Sequence, residues 1–175
     1  MNARALRSGV AAARVREPFM YHVYATATID APQDRVFALL SDHEQFLRGR
    51  GTTCRVVTPG HTDRNGVGAV REVTSAGSVF TEEVVEFEPP HRYAYVVRKL
   101  VGPIGRPTPH VHERGWVELS ADGAMTHVVW QSRFGMPIPL VGWLVERVAG
   151  AQIKRAFNQF LAAAKVQLER GVRAA

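Results

Sequence analysis

The chain has one cysteine, Cys54, so no disulfide can form within it, which fits a reducing compartment. Lysine is scarce as well: of 22 Lys+Arg, only Lys99, Lys154 and Lys165 are lysine. The basic residues form no dense run, so a net charge of +6 gives no reason to expect a nucleic-acid partner. No apolar stretch approaches the ~20 residues of a membrane span. Residues 1–19 carry Arg4, Arg7, Arg14 and Arg16 but no apolar segment of a secretory signal. Serine-nucleophile elbow, phosphate loop and dinucleotide fingerprint are all missing. What remains is a cytoplasmic chain of one domain, residues 20–170, with no cofactor implied. It is preceded by a poorly ordered basic extension, residues 1–19, and followed by a short tail, residues 171–175.

A hydrophobic fraction of 46% is enough for a real core. Alternating β-formers at residues 22–29 predict a first strand, which Asp30-Ala31-Pro32 ends. Pro32 opens a helix with Val36, Phe37, Leu39 and Leu40 on one face. Ser41 and Asp42 can end it and cap a second short helix through Leu47. Six further strands are predicted over residues 52–58, 67–74, 79–87, 92–100, 111–119 and 125–134. Proline and glycine pairs separate them.

Residues 138–170 then predict a helix about 50 Å long. From Ala149 onward, Ala149, Ile153, Ala156, Phe157, Phe160, Leu161, Ala164 and Leu168 share one side of the helical wheel. Its first turns are out of register: Leu140, Val141, Leu144, Val145 and Val148 lie opposite, and Glu146 points into the later apolar face. The change falls at Gly150, where a helix bends most cheaply. A kink there would turn the stripe inward as a gate to the interior, together with Trp143 and the loop of Pro103, Pro107 and Pro109. A straight helix would leave the stripe for a second subunit or a membrane surface.

One strand, two helices, six strands and a long helix describe an α+β fold, a curved antiparallel sheet of about seven strands wrapped on its last helix. A sheet bent around a helix seldom fills its interior, so a cavity is expected between them. Ala31-Pro32, Val36-Phe37, Leu40 and Ser41-Asp42 resemble the opening of the polyketide cyclase/dehydrase and lipid-transport proteins of the START-like (SRPBCC, Bet v 1-like, helix-grip) superfamily. Gly66-Val67-Gly68, Glu88-Pro89-Pro90 with Arg92-Tyr93, and Gly123 to Thr126 with Val128 and Trp130 match later landmarks. Many relatives carry a tryptophan after the early Ser-Asp pair; here residues 43–50 have none. The resemblance implies a deep apolar pocket for a lipid, polyketide or similar molecule, in a monomer or homodimer, with peripheral membrane contact as a further option.

Strand alternation nominates the lining: Tyr93, Tyr95 and Val97 from the fifth strand, and Val128, Trp130, Ser132 and Phe134 from the seventh. Trp116 and Trp143 join them, as do Ile153, Phe157, Phe160 and Leu161 of the helix. His110 and His112 share a strand face with Arg114 and Trp116. Two histidines at that spacing can ligate zinc, but the sequence names no third ligand among Glu82, Glu86 and Glu118, so no metal is expected. A cyclase needs a base and an enolate stabiliser, for which Tyr95, His112, Arg114 and Arg71 are the candidates. Cys54 reads as a buried, inert thiol. Three functions stay open: binding of a hydrophobic small molecule; a polyketide cyclase, dehydratase or aromatase; and a protein-interaction module.

Overall fold

The computed structural model describes residues 20–49 and 51–173. The basic extension at residues 1–19 and the last two residues of the tail lie outside them. In chain order the elements are β1 (Tyr21–Ile29), α1 (Gln33–Ser41), α2 (His43–Phe46), β2 (Thr52–Thr58), β3 (Val70–Ser75), β4 (Ser78–Glu88), β5 (Arg92–Val101), β6 (Val111–Asp122), β7 (Met125–Gly135) and α3 (Gly142–Arg173). The seven strands form one antiparallel sheet in the order β1-β7-β6-β5-β4-β3-β2. This is the helix-grip arrangement: the sheet curves around α3, and α1 and α2 close one end.

Local chemistry accounts for the boundaries. Asp42 separates the two short helices and accepts the backbone N–H groups of Glu44 and Gln45 at 3.1 and 3.3 Å, satisfying donors that a helix start leaves free. β3 begins at Val70 rather than at Val67, because Gly68 takes a φ of 85° that ends the preceding loop. α3 begins at Gly142 rather than at Ile138. Leu140 there adopts a left-handed φ of 66°, which interrupts helical continuity. At its other end α3 continues to Arg173, into the segment expected as tail.

From Ala149 the buried face of α3 follows the helical wheel: Phe157, Phe160, Leu161, Ala164 and Leu168 are buried, while Lys154, Arg155, Asn158 and Gln159 are exposed. The inward gate does not form. Leu140 is 94% exposed and Trp143 60%, and Val141, Leu144 and Val148 are also exposed. Glu146 does point inward as expected. It is buried and accepts the Met136 backbone N–H at 2.7 Å. Gly150 serves packing, because a methyl group there would overlap the Tyr21 ring of β1.

That close approach yields a test. Alanine is favoured over glycine inside a helix by about 1 kcal/mol, whereas overpacking a filled interior costs about 1–3 kcal/mol. Gly150→Ala is expected to lower stability in urea unfolding, and a simultaneous Tyr21→Ala should remove the clash. A more stable Gly150→Ala single variant would contradict this account.

Candidate ligand pocket

Strand geometry decides which side chains reach the interior. On β7 the alternation is unbroken: Val128, Trp130, Ser132 and Phe134 are buried on the concave side. On β5, Tyr93 and Tyr95 are buried on the same side while Arg98 is exposed. β6 behaves differently. The pairing shifts between His112↔Phe134 and Arg114↔Arg133, leaving Glu113 as an extra residue. Such a bulge inverts the facing of everything beyond it. His110 and His112 therefore point inward, whereas Arg114 and Trp116 lie on the convex face.

Between the sheet and α3 lies a cavity of about 210 Å³. This is smaller than the ~300–1,000 Å³ of typical small-molecule sites. Among the expected residues, Tyr95, Val97, Trp130, Phe134, Ile153, Phe157 and Phe160 form part of its wall. The Trp130 indole lies flat on the Phe157 ring, with centroids 3.6 Å apart and planes 7° from parallel. Tyr95 Oη accepts the Trp130 Nε1–H at 3.2 Å. Its ring crosses Gly115, where a methyl group would strike it. The wall is overwhelmingly apolar. Its α2 end is buried at His43, Leu47 and Phe160, while Leu100, His110, Met136, Ala149 and Ile153 at the other end are only half-buried and form the mouth.

Five expected lining residues are elsewhere. Tyr93 is buried behind the wall, donating its hydroxyl to the Leu40 carbonyl at 2.8 Å. Val128 and Leu161 belong to the solid core under α1 and α3 rather than to the cavity. Trp143 is exposed on the first turn of α3. Trp116 is a fifth exception, on the convex face, stacked on His22 with centroids 5.9 Å apart.

The catalytic candidates separate in the same way. Arg114 sits outside with Arg92, both paired to Glu86, and cannot act in the cavity. Arg71 is buried and bonded through Nε to Glu82 at 3.0 Å. Glu82, not Arg71, contributes to the wall. Burial pushes the Tyr95 phenol up, and the nearby Glu82 adds to this. Burial, with a smaller push from His110, lowers His112 to about 4. His112 Nδ1 accepts the Val97 N–H at 3.0 Å, which leaves Nε2 as the donor to Ser132 Oγ at 3.1 Å. Both ring nitrogens are thus engaged within the protein.

Among the described residues, no group of three or more His, Cys, Asp and Glu side chains is placed to hold a metal ion. Glu86 and Glu118, named with His110 and His112, lie across the sheet from them, Glu118 accepting Gln131 at 3.2 Å. Burial pushes the Cys54 thiol up to about 12, so it is no nucleophile at neutral pH. Among the described residues no helix is long and apolar enough to cross a membrane.

Sequence reasoning passed over His43, which is buried at the α2 end of the cavity. It stands directly after the Asp42 cap, at the first position of a four-residue helix, where no periodicity marks an inward face. Its aromatic surroundings, Phe46, Tyr93, Tyr95 and Trp130 with ring centroids within 6.4 Å, come from three separate elements that no local pattern joins.

A seven-stranded sheet gripping a helix over an apolar cavity defines the START-like class. The sequence profile of the polyketide cyclase/dehydrase and lipid transport family matches residues 20–169, and the chain belongs to that family. Among solved structures, the ZhuI aromatase/cyclase from Streptomyces sp. R1128 superposes with a TM-score of 0.70 at 20% identity, over 89% of this chain and 98% of that one. A protein from Thermus thermophilus gives 0.66 at 18%, over 86% and 99%. A START superfamily protein from Mycobacterium smegmatis gives 0.62 at 14%, over 85% and 97%. At these identities the likeness is one of fold. Among curated proteins no sequence match is found.

Two tests follow from the buried polar groups. Removing one partner of a buried ion pair costs about 3–5 kcal/mol, whereas replacing both by apolar residues is often neutral. Arg71→Met is expected to destabilise by about that amount in urea unfolding, and Arg71→Met with Glu82→Leu to regain most of it. The second concerns pH. Burial, reinforced by Arg71, holds His43 well below the usual histidine range, and His112 lies at about 4. As pH falls through about 6.5, the unfolded chain takes up protons that the native state refuses, so stability is lost toward pH 4. His112→Gln keeps an acceptor for Val97 and should lose less stability between pH 7 and 4.5 than the parent. An identical loss would remove His112 from this account.

Proposed function

We propose that this chain binds a compact hydrophobic molecule, of lipid, polyketide or similar character, in the cavity between the sheet and α3. The observation that carries the reading is the unfilled apolar space beside the Trp130–Phe157 stack. Interior side chains that had no guest to accommodate would close such a gap, because protein interiors are otherwise packed to crystal density. At about 210 Å³, the space suits a small ring system or a longer molecule whose tail leaves through the mouth.

The ZhuI neighbour is an aromatase/cyclase, and family membership keeps ring closure or dehydration as the second reading. Tyr95 and His112 at the wall favour it. The internal engagement of both His112 nitrogens supports binding over acid-base work. The exposed stripe on the first turns of α3 is where a second copy of the chain or a membrane surface would seat. A precedent for pairing is the Aha1 dimer from Colwellia psychrerythraea, which shares the fold at a TM-score of 0.57 and 13% identity.

Native mass spectrometry of protein purified without detergent tests the binding reading. A co-purifying small molecule is expected with the parent chain. Ala156→Phe, which fills the cavity from α3, should lose it while remaining folded. If the parent carries nothing and takes up no apolar probe, the binding reading is wrong.

A further inference from the structure

The cavity mouth is bordered by apolar side chains that stay open to solvent among the described residues. Ala149 and Ile153 of α3 stand at the mouth, while Tyr21 of β1 packs on another flank of the helix, at Gly150. Val141, Leu144 and Val148 follow at helical spacing along the flank turned away from β1, and all three are exposed. Leu140 precedes them, 94% exposed on a left-handed φ of 66°. Backbone strain and apolar exposure thus coincide at one residue, a combination that points to function rather than to packing. The loop between β5 and β6 carries Ile104, 81% exposed. Leu100 and His110, on either side of that loop, belong to the same mouth.

The charges beside this patch are of one sign. Between Gly142 and Ala156 the exposed ionisable side chains are Arg147, Lys154 and Arg155. The only acid there, Glu146, is buried and turned to the Met136 N–H. The β5–β6 loop has Arg106 and no acid. Ahead of β1, the sequence adds Arg4, Arg7, Arg14 and Arg16 against Glu17. A second copy seated two-fold on this patch would set cations against the same cations. Protruding apolar side chains from two separate segments, flanked by arginine, instead match a lipid surface of negative charge. Such a surface takes apolar wedges without demanding a complementary shape, and its headgroups attract the cations.

Resting on the ligand-binding reading, we infer that this rim is a docking surface for an anionic bilayer, with Leu140, Leu144 and Ile104 entering the headgroup region, Arg106, Arg147 and Arg155 meeting lipid phosphates, and the cavity mouth opening onto lipid. Trp143, exposed on the first turn of α3, suits the headgroup level. A hydrophobic ligand then passes between bilayer and cavity without crossing water, where the hydration of its apolar surface would hold it back.

Vesicle flotation of the full chain tests this, with phosphatidylcholine vesicles and with vesicles in which one quarter of the lipid is phosphatidylglycerol. Naphthalene titrated without vesicles reads the cavity by itself. Association is expected with the anionic vesicles alone and should fade as salt rises. Leu140→Ser combined with Leu144→Ser, both at exposed positions, should weaken it at least about tenfold. Arg147→Gln should weaken it about fivefold, with naphthalene affinity unchanged in each variant. No association, equal association with both vesicle types, or association that survives the double serine variant overturns the docking surface. So does a dimer in light scattering that the double variant breaks, because a second copy then covers the patch. With naphthalene still bound, each of these results leaves the cavity reading intact. Failure of the parent chain to bind naphthalene removes the cavity reading, and this passage of ligand with it.

Discussion

The flat contact of the Trp130 indole on the Phe157 ring, 3.6 Å between centroids, sets how far α3 stands from the sheet. Two aromatic rings face to face act as a rigid spacer, since neither can shorten without overlap. Beside them Gly150 lets the helix settle onto Tyr21 of β1. The helix is therefore close to β1 along one side and held off further across the sheet. The cavity is the wedge between these two distances. Its existence follows from side-chain thickness at two points rather than from any missing segment of core.

Within that wedge, polar groups occur in an ordered way. Arg71 and Glu82 neutralise one another in the interior, so the cavity carries no strong field of one sign, and burial still raises the Glu82 carboxyl above its ordinary range. His112 is locked between Val97 and Ser132, a contact that ties β5, β6 and β7 together where β6 changes facing. His43 is sealed in beside them, its Nδ1 buried without a hydrogen-bond partner. The wall thus combines apolar shape with polar groups that are mostly engaged within the protein.

Much of this was legible in the sequence. Proline and glycine mark the strand ends, and the 3.6-residue pattern after Ala149 identifies the buried face of α3. Strand alternation places Tyr95, Val97, Trp130 and Phe134 correctly because β5 and β7 keep their period through those residues. Arg114 and Trp116 were misplaced because one extra residue, Glu113, reverses the period, and nothing in the local composition announces a bulge. Gly150 read as a hinge because glycine is permissive; the actual constraint is a ring on a strand more than a hundred residues earlier. The exposed stripe was visible as a pattern, but its direction depends on how the helix is docked, which the pattern does not contain. His43 needed knowledge of three elements at once.

The bulge in β6 also bears on how such a protein can change over generations. Before Glu113, the chain contributes His112 of the strand and His110 just ahead of it to the cavity; after it, Arg114 and Trp116 belong to the outer surface. One strand therefore belongs to two neighbourhoods that meet at a single residue. Substitutions in the first half can recut the guest's surroundings while the Glu86 ion cluster outside is undisturbed, and the outer half can drift without altering what the cavity accepts. Loss or gain of one residue at this point would exchange the two neighbourhoods, so length is the property that selection has to guard there, more than identity.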